Sequence, residues 1–150
     1  QQGRIRLLDA GFVATISYAI ADAERLAFTP GYFDCVSIGF GLRNVTDMDR
    51  ALGEARRVLK PGGCFLCLEF SRVVLPLLSG LYDRYSFSVV PALGARITGD
   101  ADAYRYLVES IRRFPDQAAL AGAMRAAGLD RVRVRNLSGG VVAIHAAWRI

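Results

Sequence analysis

The sequence is short of histidine, cysteine, lysine and long apolar runs, and each shortage closes off a class of function. His145 is the only histidine and Lys60 the only lysine among 150 residues, beside three cysteines, Cys35, Cys64 and Cys67. A closed zinc site takes four nitrogen or sulfur ligands, and Cys64-x-x-Cys67 has no second pair to complete it. In a strand, moreover, the odd spacing sends those two thiols to opposite faces, so no metal site is expected. Nor do Ser71, the lone histidine and an acid assemble into a nucleophile, base and orienting partner by spacing, which argues against a hydrolase. An odd handful of cysteines gives no disulfide framework, and no basic stretch followed by an apolar one opens the chain; a reducing, intracellular setting is expected. The longest apolar stretches, 73–81 and 87–93, are broken by Pro76, Ser79, Gly80 and Pro91, well short of the ~20 residues of a membrane span.

What the sequence does contain is enough for a core: 53% apolar residues against 22% charged, in a length typical of one domain. The net charge of +5 is carried almost wholly by arginine and favours solubility and weak attraction to polyanions. Acids are interspersed throughout, and no arginine cluster alternates with regularly placed aromatics, so no nucleic-acid partner is expected. Without repeats or linkers, residues 1–150 read as a single unit.

Strand-like and helix-like stretches alternate along it, the pattern of an α/β sheet. Residues 4–10 read as a helix tail stopped by Gly11, and 16–21 as a strand bounded by Asp22. Phe33 to Gly39 and Cys64 to Phe70 are short continuous apolar runs, suited to strands buried on both faces. Between them Met48, Ala51, Leu52, Ala55, Val58 and Leu59 recur at helical spacing, with Thr46 placed to cap the helix and Pro61-Gly62-Gly63 to stop it. The stretch 71–115 is aromatic-rich and largely helical. Asp116 caps a further helix reaching Ala127, with Gly128 at its left-handed end. Val132 and Val134 then alternate with Arg131, Arg133 and Arg135 as a strand with one wet face, and a last strand covers 141–148. Only Leu137-Ser138-Gly139-Gly140 separates these two, so they pair antiparallel.

Ligands of an open α/β sheet bind beyond the carboxyl ends of its strands, and three such ends here are polar: Asp22-Ala23-Glu24, then Gly39-Phe40-Gly41-Leu42-Arg43-Asn44, then Glu69-Phe70-Ser71. Arg57-Val58-Leu59-Lys60-Pro61-Gly62-Gly63 running into Glu69-Phe70-Ser71 resembles the signature of the UbiE-type C-methyltransferases of ubiquinone and menaquinone biosynthesis, which use S-adenosylmethionine. Phe40 to Asp47, Tyr82-Asp83-x-Tyr85-Ser86-Phe87, Asp102 to Leu107 and Gly140 to His145 are similar to further segments of that family, so the resemblance covers essentially the whole chain. The family's glycine-rich cofactor loop has no counterpart, and no Gly-x-Gly-x-Gly occurs.

The resemblance implies a partial class I methyltransferase, a Rossmann-like sheet with a helical substrate-covering insertion at 71–115 and a carboxyl-terminal antiparallel hairpin, forming the carboxyl-terminal part of a longer enzyme. Absent central strands would leave a gap or exposed sheet edges, hence marginal stability or self-association. The cofactor implied is S-adenosylmethionine, with Asp22 accepting from the adenine amino group, the Ala23 N–H meeting a ring nitrogen, and Gly39 and Phe40 beside it. By itself Asp22 reads as a turn residue. Glu24 is expected to face solvent, and Ala27, where the family commonly has proline, to loosen its turn. Arg43 and Asn44 are the candidate catalytic residues, a guanidinium beside a quinol oxygen stabilising developing phenolate charge; by residue type alone Arg43 is equally a loop cation and Asn44 a helix cap. Tyr82, Tyr85 and Tyr104 are candidates to line the quinol pocket, though aromatics at helical spacing also build cores. His145 reads as a satisfied sheet histidine. The partners implied are a polyprenyl quinol, a homodimer or quinone-biosynthesis complex, and a membrane surface met by 73–97 with Arg72, Arg84 and Arg96; the location implied is cytoplasmic, peripheral to the inner face of the membrane. The rival reading is a non-catalytic methyltransferase fold serving as a scaffold.

Overall fold

The structure, a computed structural model, describes residues 16–17, 19–74 and 101–150. Its elements are β1 (Phe33–Gly39), a 3-10 turn (Leu42–Asn44), α1 (Met48–Val58), β2 (Leu59–Phe70), α2 (Ala101–Arg113), α3 (Gln117–Ala126), β3 (Asp130–Leu137), a second 3-10 turn (Ser138–Gly140) and β4 (Val142–Trp148). They form one four-stranded sheet in the order β1-β2-β4-β3. β1 and β2, joined through α1, are parallel, while β4 runs antiparallel to both β2 and β3, giving the hairpin that the short join at 137–140 requires.

The start of α1 differs from the expected one by a residue. Asp47 is the cap, accepting from the Arg50 N–H at 3.0 Å, and Thr46 instead donates its own N–H to Glu24. At the other end Arg149 reaches over from beyond β4, its Nη1 donating to the carbonyls of Arg56, Arg57 and Leu59 at 3.3, 2.9 and 2.6 Å. These carbonyls have no partner within the helix, so a cation there satisfies both hydrogen bonding and the helix dipole. Pro61 cannot continue the helix, but Lys60–Gly63 already lies within β2. Phe33 pairs with Leu59 and Cys35 with Cys64, so the intervening residues bulge away from β1. Asp116 caps α3 by accepting the Ala119 N–H at 2.9 Å, and Gly128 follows at φ +82°, both as the sequence predicts.

One face of the sheet is closed. Phe65, Cys67 and Ala147 from β2 and β4 pack with Leu52 and Ala55 of α1, Leu120 and Met124 of α3, and Phe114 and Leu129 in one buried cluster. The other face, carrying Cys64, Leu66, Ile144 and Trp148, is partly open, with Leu66 37% exposed. Among the described residues the apolar runs of β1 and β2 are thus closely covered on one side and only partly on the other, because the described helices that pack on the sheet join the same core. β3 also departs from expectation. It is an edge strand, Val134 is exposed despite its apolar side chain, and the register shifts between Asp130 and Arg133.

The strand expected at 16–21 is not formed: residues 16, 17 and 19–21 have no strand structure, and Ile20 is fully exposed. A strand is stable only with a ladder partner, and no described strand lies beyond β1 to receive it. The expected helix tail at 4–10 lies outside the described residues, as does 75–100 of the expected insertion; α2 is its described helix. No helix among the described residues is long and apolar enough to cross a membrane.

Candidate active site

Because β1 and β2 are parallel, their carboxyl ends open on the same edge, and there the structure ties Arg43 to Glu69. Gly39 pairs with Leu68, and Phe40 then turns out of the strand at φ +53°, a left-handed conformation uncommon for a non-glycine residue. Its N–H still donates to the Leu68 carbonyl at 2.8 Å, and its ring meets that of Phe70 at 4.7 Å between centroids. Buried Leu42 anchors the following turn, which brings Arg43 back over the end of β2.

There Arg43 Nη1 donates to Glu69 Oε1 at 2.8 Å and to the Phe40 carbonyl. The backbone N–H of Arg43 donates to Oε2 of the same carboxylate at 3.3 Å, and that of Phe70 to Oε1 at 3.0 Å. The guanidinium carbon stands 5.4 Å from the centre of the Phe70 ring, within range of a cation–π attraction. The Arg43 side chain is 10% exposed and that of Glu69 1%. Arg43 Nε is buried with no hydrogen-bond partner among the described residues. The result is a guanidinium locked in orientation by a buried carboxylate and an aromatic ring, with a donor left over.

The Asp22 turn reaches the same end of the sheet through Glu24. Asp22 Oδ1 accepts the Glu24 N–H at 2.9 Å, and its carbonyl accepts the Arg25 N–H at 3.1 Å, a local turn of the kind its residue type favours. Glu24 is half-buried and partnered rather than simply solvent-facing. Its Oε1 accepts the N–H groups of Thr46 and Asp47 at 2.6 and 2.9 Å, just after Asn44. The turn around Ala27 is tied to α1: Glu54 accepts the Leu26 N–H, and Arg57, paired with Glu54, donates to the Leu26 and Phe28 carbonyls.

Asn44 caps no helix. Its Oδ1 accepts from the Tyr106 hydroxyl at 3.2 Å, fastening α2 to the loop that carries Arg43. Tyr104 lies on the same helix with its side chain outside what the structure describes, and Tyr82 and Tyr85 lie outside the described residues altogether. The sequence reading therefore missed two partners, Glu69 for Arg43 and Tyr106 for Asn44. Both stood inside recognised segments, Glu69-Phe70-Ser71 and Asp102 to Leu107, but residues far apart in sequence carry no signal of facing one another.

His145 is only half satisfied. Nε2 lies 3.0 Å from the Gln117 carbonyl, but Nδ1 is buried without a partner, and burial holds the imidazole below its ordinary pKa. Across the ladder, Cys67 has its thiol pushed up to about 12 by burial and the neighbouring Glu69 charge. Neither belongs to the strand-end cluster.

The ubiE/COQ5 methyltransferase family model matches residues 1–149. The ubiquinone/menaquinone biosynthesis C-methyltransferase UbiE of Acidiphilium cryptum is 55% identical over 148 residues, which make up 99% of this chain and 59% of that protein. The UbiE of Proteus mirabilis is 53% identical over 149 residues, again 99% of this chain and 59% of that protein. The chain thus spans about three fifths of the length of these curated relatives. Among solved structures, a SAM-dependent methyltransferase of Thermotoga maritima, described as a possible histamine N-methyltransferase, superposes with a TM-score of 0.64 at 20% identity, covering 97% of this chain and 69% of that one. A SAM-dependent methyltransferase of Aquifex aeolicus gives 0.62 at 13% identity, covering 98% and 61%. At such low identity these two establish the fold alone, a partial class I methyltransferase sheet.

Proposed function

The chain belongs to the ubiE/COQ5 methyltransferase family, and from that premise we propose that it is part of a SAM-dependent C-methyltransferase acting on a polyprenyl benzoquinol or demethylmenaquinol. The observation that carries this reading is the family match along the whole chain, together with the meeting of Phe40 to Asp47, Glu69 and Tyr106 at one end of the sheet. In this reading residues 1–150 are a single incomplete methyltransferase domain with its insertion at 71–115.

The residues present fit an adenosine edge. A Cβ on Gly39 would meet nothing within 4 Å, which leaves room for a flat ligand over the end of β1. Asp22 presents an exposed carboxylate in a turn fixed by Glu24. Asp22 would accept from the adenine amino group, the Ala23 N–H would meet the ring, and Gly39 and Phe40 would form the floor. S-adenosylmethionine supplies a methyl group activated by its bond to a positive sulfur.

Arg43 does the electrostatic work on the substrate side. Methylation at a ring carbon requires negative charge fed into the ring from the neighbouring hydroxyl as its proton leaves. A guanidinium donor already oriented at that oxygen stabilises the charge with no reorganisation at the moment of reaction. Glu69 takes Nη1 and so fixes how the rest of the guanidinium is presented. Asn44, held by Tyr106, ties this loop to α2. A polyprenyl quinol is met at a membrane surface, so peripheral membrane contact, at the cytoplasmic side, and assembly as a homodimer or within a quinone-biosynthesis complex belong to the same reading.

The test is Arg43→Ala in a catalytically active, longer form of the protein. The expected outcome is loss of quinol methylation by a factor of about 10² or more, the usual scale for an oriented charge-stabilising donor, with affinity for S-adenosylmethionine in calorimetric titration unchanged. Unaltered turnover would remove Arg43 from the reaction. A folded protein that neither binds the cofactor nor methylates would favour the scaffold reading.

A further inference from the structure

Cys64 and Cys67, the spacing that stands out in the sequence, face opposite sides of β2. The thiol beside Cys64 is Cys35, its Cα partner in the parallel pairing of β1 with β2. Both belong to the open face. Cys64 alternates with buried Phe65, and Cys35 with Val36, which packs against the core. Cys35 is exposed, Cys64 half-buried, and both are free. The Cys64 thiol donates weakly to the Phe65 carbonyl at 3.7 Å, with the Ala147 backbone also beside it.

Neighbouring strands lie about 4.8 Å apart, with side chains of one face standing side by side. An unstrained disulfide asks for Cβ atoms about 3.5–4.5 Å apart. Two thiols on one face at strand spacing are within reach of a single atom bridging both sulfurs; a direct S–S bond, for which Cα atoms about 4.4–6.8 Å apart suffice, is the competing fate of the pair. Burial first, and then the neighbouring Cys35, push the Cys64 thiol up.

We propose that Cys35 and Cys64 form a cross-strand dithiol site that takes one soft, thiophilic acceptor, a trivalent arsenical, as a two-sulfur chelate. Soft acceptors select thiolate ligands, and two thiols fixed on adjacent strands hold such an atom with no loop to order. With an organoarsenic oxide, two S–H bonds are replaced by two As–S bonds. Both thiol protons leave with the oxide oxygen as one water, and neither arsenic nor sulfur changes oxidation state. Cys67 takes no part, being fully buried on the other face.

The experiment treats the reduced 150-residue chain with phenylarsine oxide, follows it by intact mass spectrometry under native conditions, and then challenges it with excess glutathione. One arsenical per chain is expected, adding the mass of the reagent less one water, retained against glutathione and released by dithiothreitol. Cys35→Ser, at an exposed position, and Cys64→Ala should each lose the adduct to glutathione at least tenfold faster, while Cys67→Ser retains it. Loss from the wild-type chain as fast as from Cys35→Ser would overturn the proposal, as would retention that depends on Cys67.

Discussion

Glu69 owes its place to a requirement of electrostatics: a carboxylate so deeply buried is tolerated only when paired and hydrogen-bonded. It receives both, from Arg43 and from two backbone N–H groups. Glu69→Ala leaves the Arg43 guanidinium buried without its counter-ion, and the expected loss of stability in urea unfolding is about 3–5 kcal/mol. The double variant Arg43→Ala/Glu69→Ala should recover a good part of that loss; strictly additive losses would show that the two side chains are not coupled. His145 answers to pH with the opposite kind of burial. Its folded pKa lies below the ordinary value of about 6.5, so the folded state prefers the neutral ring. Stability is then fully present above about pH 6.5 and falls as pH drops below it, through the lowered folded value. As His145 is the only histidine, unfolding curves between pH 7 and 5.5 should show this fall in the wild-type chain and a flatter profile in His145→Gln; equal slopes would exclude the linkage.

Among the elements, α1 and α3 are set by their ends more than by their interiors. Asp47 and Asp116 satisfy orphan N–H groups, and replacing either by alanine should cost about 1 kcal/mol in thermal unfolding. Glycine separates conformational cost from packing. Gly122 is exposed on α3, and a Cβ there would meet nothing within 4 Å. Gly122→Ala should therefore stabilise by up to about 1 kcal/mol through helix propensity. Gly140 holds φ +98°, and a Cβ there would come within 2.6 Å of the Arg72 carbonyl and 2.8 Å of the Val74 N–H nitrogen. Gly140→Ala should lower the melting temperature, because backbone on both sides cannot yield. A matching sign for the two variants would contradict this account.

At the scale of the whole molecule, the sheet of the described residues has β2 and β4 inside and β1 and β3 at its edges. Local opening follows exposed hydrogen bonds and sparse packing. Amide hydrogen exchange should accordingly be slowest in 64–69 and 143–147 and faster in β3, where both faces are largely exposed. The reverse order would mean that the hairpin, not the central pair, is the stable unit.

How much of this was legible in the sequence differs by the range of the interaction involved. Local chemistry determined the periodic faces of α1, the Asp116 cap, the Gly128 turn, the β3–β4 hairpin and the opposite facing of Cys64 and Cys67, because each depends on residues a few positions apart. The family segments were also legible, being contiguous. Only the tertiary structure decided that Glu24 binds the start of α1, that Arg43 spends one nitrogen on Glu69, that Tyr106 meets Asn44 and that Cys35 stands beside Cys64. It decided, too, that the described helices cover the runs of β1 and β2 closely on one face, and that residues 16, 17 and 19–21 form no strand. A side chain's partner across the sheet, and the presence of a neighbouring strand or layer, depend on how distant segments come together in space, and no spacing along the chain encodes them.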